Sequence, residues 1–152
     1  MPVHIGNLLK KSGKTLSVAE SCTGGFLGHR ITAIPGSSDY FAGGLIAYAD
    51  RIKTDRLGVS KTTLKRSGAV SEDTAKEMAR NVRRLFKTDF GVSVTGIAGP
   101  GGGSKKKPVG LVYVAAAGAK KTLCKKYLFR GSRQDIKSRS AKAALALLRT
   151  II

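Results

Sequence analysis

Twice in this chain a short apolar stretch with strand character runs directly into a turn dense in glycine and hydroxyl side chains. Thr15-Leu16-Ser17-Val18-Ala19 leads into Glu20-Ser21-Cys22-Thr23-Gly24-Gly25. Phe90 to Thr95, apolar and continuous rather than alternating, leads into Gly96-Ile97-Ala98-Gly99-Pro100-Gly101-Gly102-Gly103-Ser104. Strands that alternate with helices in this way build an α/β layer, in which each element buries its apolar face against the next. The remaining pattern fits that reading. A further strand is predicted at Gly44 to Tyr48, and two more at Val109 to Ala117 and Lys121 to Phe129, joined by Gly118-Ala119-Lys120 as a hairpin. The predicted fold is therefore a three-layer α/β domain, with a mixed sheet and helices on its faces.

Helices are predicted at His4 to Ser12, Gly24 to Thr32, Ile52 to Leu57 and Lys61 to Lys65. The clearest helical signal follows Val70. Ser71 is an N-cap, Glu72 and Asp73 occupy the positive first turn, and Ala75, Met78, Ala79, Val82, Leu85 and Phe86 share one face. The last helix is predicted over Ser132 to Ile151, with Ser132 and Asp135 spaced as a capping box. No repeat or linker interrupts the 152 residues, so one domain over 1–152 is expected.

Composition narrows the function. Hydrophobic residues make up 41% of the chain, enough for a packed core, yet no apolar run approaches the ~20 residues of a membrane span. The start, Met1 to Gly6, lacks the basic-then-apolar pattern of a signal peptide, so a cytoplasmic location is expected. Two cysteines, Cys22 and Cys124, make neither a disulfide framework nor a zinc ligand set, and no metal is expected. His4 and His29 have no motif around them, which argues against a Ser-His-Asp triad. The formal net charge is +19, but Lys and Arg occur in almost every segment and do not interleave with aromatics. That spread reads as a solvated basic surface in preference to a nucleic-acid interface, although weak attraction to polyanions follows either way.

The two glycine-rich turns are where chemistry can sit. A serine at a strand-to-helix turn points its hydroxyl into the crevice above the sheet. The N–H groups from Cys22 to Gly24 can hold a phosphate or a developing oxyanion. Helix capping by Ser21 or Thr23 explains the same residues equally well. The Gly96–Ser104 loop can form an anion nest, but it matches neither the Walker pattern nor a dinucleotide fingerprint. Without a histidine base, a serine nucleophile needs another proton acceptor. Lys53, in Tyr48-Ala49-Asp50-Arg51-Ile52-Lys53, can serve if burial and neighbouring charge lower its pKa. The adjacent Cys22 thiol is the alternative nucleophile.

Several of these strings, in this order, resemble one family. They are Ala19 to Gly25, Pro35-Gly36-Ser37-Ser38, Gly44 with Tyr48 through Lys53, Leu57-Gly58-Val59, Gly68 to Ser71, Thr95 to Pro100 and Lys107-Pro108-Val109-Gly110. The chain is similar, from about Leu16 to the last helix, to the carboxy-terminal domain of the competence/damage-inducible protein CinA. Stand-alone members of that family are nicotinamide mononucleotide deamidases. The resemblance implies an amidohydrolase of pyridine-nucleotide salvage that forms nicotinate mononucleotide and ammonia without a cofactor. It places the nucleophile at Ser21 and the base at Lys53, with Tyr48 as the third catalytic residue beside them. The substrate is then expected against Glu20, Cys22, Thr23, Gly24, Thr95, Gly96, Gly99, Gly102, Gly103 and Arg133. The chain departs from the family pattern at Ser132, usually acidic, and at Lys137, often arginine. The activity of the amino-terminal domain of larger members, linked to ADP-ribose hydrolysis, is not carried over. Members tend to associate, so a homo-oligomer is expected. Two other readings stay open: a basic nucleic-acid-binding protein, and a family member without activity.

Overall fold

Leu16 to Glu20 is buried at all five positions, as a central strand covered on both faces must be. In the computed structural model, which describes residues 1–152, this is β1 of a five-stranded sheet. The elements in chain order are α1 (Pro2–Ser12), β1 (Leu16–Glu20), α2 (Phe26–Thr32), a 3-10 turn (Ser37–Asp39), β2 (Phe41–Ile46), α3 (Asp50–Asp55), α4 (Lys61–Ser67), α5 (Glu72–Leu85), β3 (Phe90–Gly96), β4 (Leu111–Ala117), β5 (Thr122–Leu128) and α6 (Arg133–Leu148). The strand order is β2-β1-β3-β4-β5. β1 runs parallel to β2 and β3, and β4 is antiparallel to β3 and β5, so the sheet is mixed as expected.

Alternation along the strands sorts the core into two layers. Val18, Val92, Val94, Val112 and Val114 face α1, α2 and α6, where Leu9, Leu27, Ile136 and Leu148 meet them. On the reverse face, Ala19, Ala115 and Ala117 lie under Ala75, Met78, Ala79 and Val82 of α5. The small residues here let α5 settle close to the sheet. At Gly91 a Cβ would collide with the Ala79 carbonyl, so only glycine permits that approach. α5 begins as the sequence indicates, with Ser71 Oγ accepting the Thr74 N–H at 3.2 Å. Its predicted apolar stripe overreaches by one residue, because Leu85 is 55% exposed.

Most element boundaries shift by one to three residues, and three of the shifts have identifiable reasons. α1 starts at Pro2 rather than His4, since proline suits the first turn, where its missing N–H is unneeded. α2 starts at Phe26 rather than Gly24, because Gly24 and Gly25 hold φ of 56° and 101°, which no right-handed helix contains. β2 ends at Ile46, so Tyr48 lies in the connection to α3 rather than on the strand. The capping box of α6 is present, with Ser132 Oγ and the Asp135 carboxylate satisfying each other's N–H groups.

The register Glu20↔Val94, Glu20↔Ile46 and Gly96↔Val112 puts the ends of β1, β2 and β3 at one edge of the sheet, with the start of β4. Both glycine-rich turns therefore open on the same end of the molecule.

Candidate active site

Ser21 is the first residue past β1, and its N–H donates to Val94 O at 2.9 Å, so β3 holds it in line. The turn then closes by a 3.1 Å bond from the Gly24 N–H to Ser21 O. Within that turn the Cys22 and Thr23 N–H groups meet no acceptor in the protein. Free N–H groups next to a hydroxyl are what an oxyanion requires.

Lys53 comes up from α3 on the opposite wall and is only 1% exposed. Its Nζ donates to Ser21 Oγ at 2.9 Å and to the Tyr48 carbonyl at 3.0 Å. Burial pulls the Lys53 amine below its ordinary 10.5, opposed by the Asp50 carboxylate, whose Oδ1 stands 3.8 Å away. A neutral amine held against a serine hydroxyl is a competent proton acceptor. Cys22 is a poor rival. Burial pushes its thiol up to about 11, which leaves it protonated near neutral pH.

These groups open into a cavity of about 270 Å³. Of the residues singled out in the sequence, Ser21, Cys22, Tyr48, Lys53, Thr95, Gly96, Gly99, Gly102 and Arg133 line it. Arg133, at the start of α6, donates from Nη1 to Gly99 O at 2.6 Å and from Nη2 to the Tyr48 hydroxyl at 3.1 Å. It thereby ties the two walls together across the mouth. Tyr48 contributes its carbonyl to Lys53 and its hydroxyl to Arg133, and its side chain is otherwise exposed. The Thr95 hydroxyl donates to Ala69 O at 2.8 Å, so it braces the Ala69–Val70 wall.

Four expected substrate contacts lie elsewhere. Glu20 has the same sheet-face parity as Val18, so its carboxylate points towards α2 and not into the cavity. There it accepts N–H bonds from Gly25, Leu27 and Gly28 at 3.1, 3.0 and 2.8 Å, capping a helix that no side chain caps otherwise. The Thr23 side chain is fully buried and its hydroxyl has no partner. Gly24 faces outwards on the turn, and Gly103 packs against the Val109 backbone.

The sequence reading missed Asp50 as an electrostatic neighbour and Ala69–Val70 as a wall. Another contact it leaves out is that of Lys107, whose Nζ donates to Ser67 O at 2.6 Å and pins the glycine loop to the end of α4. The order of the sequence motifs could have pointed to the Gly68–Ser71 wall, but the Lys107 contact spans 40 residues and leaves no local signal. No three His, Cys, Asp or Glu side chains converge as metal ligands anywhere in the chain.

A family model described as the CinA C-terminal domain matches residues 1–152. The chain belongs to the CinA C-terminal domain family. A family relative from Halothermothrix orenii, named a competence-damage inducible protein, is 59% identical over 118 residues, covering 78% of this chain and 29% of its own length. One from Desulforudis audaxviator, of the same name, is 48% identical over 148 residues, covering 97% and 36%. The chain thus spans about a third of the length of the curated relatives it matches. Among solved structures, the competence/damage inducible protein CihA from Agrobacterium tumefaciens superposes with a TM-score of 0.97 at 38% identity, over 99% of this chain and 92% of that one. A CinA superfamily protein from Escherichia coli gives 0.95 at 29% identity, over 99% and 88%. The fold is that of the CinA family.

Proposed function

We propose that this chain hydrolyses the carboxamide of nicotinamide mononucleotide, releasing ammonia and nicotinate mononucleotide. The observation that carries the reading is the buried Lys53 amine, 2.9 Å from Ser21 Oγ, beside a turn whose N–H groups are free. Family resemblance supplies the substrate, and the geometry supplies a chemistry that suits it.

In this mechanism neutral Lys53 takes the Ser21 proton as Oγ attacks the amide carbon. The carbonyl oxygen becomes an oxyanion against the Cys22 N–H, the free donor of the turn that lines the cavity. The C–N bond then breaks, and Lys53 returns the proton to the departing nitrogen, which leaves as ammonia. Lys53, neutral again, deprotonates a water that attacks the ester, restoring Ser21 and leaving a carboxylate. The substrate phosphate lies at the far end, where Arg133 has three donors left after its two internal bonds. The Gly101 and Gly102 N–H groups, also without acceptors, stand beside it.

The test is an ammonia-release assay with purified protein and a panel containing nicotinamide mononucleotide, its riboside, nicotinamide and unrelated amides. Release from the mononucleotide above the rest supports the reading. Release from an unrelated amide alone would move the substrate but keep the Ser-Lys chemistry. Release from none of them would favour the reading as an inactive member.

A further inference from the structure

At the opposite end of the sheet, the register Gly91↔Ala117 brings the β4–β5 hairpin against the start of β3. β3 spans Phe90–Gly96, about 20 Å, so this end is well removed from the Ser21–Lys53 cavity. Between the hairpin and the last turns of α5 lies a cleft of about 210 Å³. Arg80, Arg83, Arg84, Lys120 and Lys121 line it, and no carboxylate does. None of the five makes an ion pair. Arg83 is oriented by a 2.8 Å bond from Nε to Asp89 O, which leaves its terminal nitrogens free.

Part of this charge complements the C-terminal end of the α5 dipole, an effect confined to the last turn. It does not account for Lys120 and Lys121, which come from another element. Arg80 and Arg84 are one turn apart, where like charges repel unless an anion sits between them. The basic surface also continues. Arg84 reaches an adjoining cleft with Arg56, where Asp55 is the sole acidic group. One phosphate would engage two or three of these cations, whereas this band presents six across two clefts, suited to a row of phosphates. The α5–hairpin cleft is concave, the adjoining Arg56 surface is open, and Leu85 is the one large exposed apolar side chain there, too little to enter a bilayer. No aromatic side chain lines either cleft to stack on a base.

We propose that the α5–hairpin cleft is a binding surface for the phosphodiester backbone of nucleic acid, read without regard to sequence and separate from the amide-hydrolysing cavity. It goes beyond the proposed function and does not depend on it.

The experiment is fluorescence anisotropy with a labelled mixed-sequence DNA of about 20 nucleotides, single-stranded and duplex, titrated across salt. Three proteins are compared: the full chain, Arg80→Ala/Arg84→Ala/Lys120→Ala/Lys121→Ala, and a charge-matched control, Lys11→Ala/Lys61→Ala/Lys105→Ala/Lys106→Ala. Thermal midpoints check that all three fold. The cleft variant should bind at least tenfold more weakly at low salt, and its log K against log salt should flatten by about 3. The control should change little by comparison. Equal losses in the two variants would overturn the proposal, since binding would then follow net charge alone. So would no measurable DNA binding by the full chain, or binding only to vesicles containing phosphatidylserine.

Discussion

Ser21, Lys53 and Arg133 carry separable duties, and each can be removed alone. Ser21→Ala should cut turnover by roughly three orders of magnitude or more and lower stability by only about 1–2 kcal/mol, because buried Lys53 loses one of its two acceptors and keeps the Tyr48 carbonyl. Lys53→Met should be similarly inactive, yet more stable at neutral pH. Because burial lowers the Lys53 pKa, the unfolded chain holds this proton more tightly than the folded one. Stability should therefore rise as pH climbs from the folded pKa towards 10.5, the benefit being complete only above that value. Thermal unfolding across this window should show the rise in the wild type and its loss in Lys53→Met. For the same reason kcat/KM should increase towards alkaline pH with an apparent pKa below 10.5. Arg133→Ala should raise KM for the mononucleotide by about tenfold and matter much less for the riboside. Equal losses on both would mean that its bonds to Gly99 and Tyr48 hold the cavity and that the phosphate lies elsewhere. The lack of a usable histidine calls for another base beside Ser21, and the family resemblance is what picks Lys53 from the many lysines of the chain. The role of Glu20 was not legible, because a motif read as a string ignores strand parity. Glu20 and Ser21 are adjacent in sequence and serve different layers.

At the scale of elements, Glu20 marks how β1 and α2 are joined. Glu20→Ala would leave three N–H groups without their acceptor and should cost about 2–4 kcal/mol, read by denaturant unfolding. Asp89 does the equivalent at the other end, accepting from the Thr15 N–H, Thr15 Oγ1 and Lys14 Nζ between the starts of β1 and β3. The Thr15 N–H, chiefly, holds its carboxyl below the ordinary 3.8, so this contribution is lost as pH falls through that depressed value. The helices with strong local signals, α5 and α6, were legible to within a few residues, because capping and apolar periodicity act locally. β2 was legible only in its second half, Gly44 to Ile46: it is an edge strand whose burial alternates between partial and none, and Gly43-Gly44 blanks the middle of its pattern. The order β2-β1-β3-β4-β5 rests on pairings up to 74 residues apart in sequence, such as Leu16↔Phe90, and no local pattern encodes them.

Over the whole molecule, 28 basic residues face 9 acidic ones and only five ion pairs form. Unpaired like charges repel across the surface, so the thermal midpoint should rise when salt is raised from low to physiological strength. A midpoint that falls with added salt would mean that the few pairs dominate. The sequence showed the excess charge but not its clustering, since Arg80–Arg84 and Lys120–Lys121 meet only through the sheet. The free edges at β2 and β5, with Ile46 and Leu128 more than half exposed, are where we propose that copies of the chain associate. A monomeric sedimentation mass at micromolar concentration would remove that proposal and leave the chemistry standing. Whether Ser21 attacks the amide is read from ammonia release from nicotinamide mononucleotide by the wild type, Ser21→Ala and Cys22→Ala side by side. The wild type and Cys22→Ala should release ammonia and Ser21→Ala none above background; an active Ser21→Ala with an inactive Cys22→Ala would make the thiol the nucleophile instead.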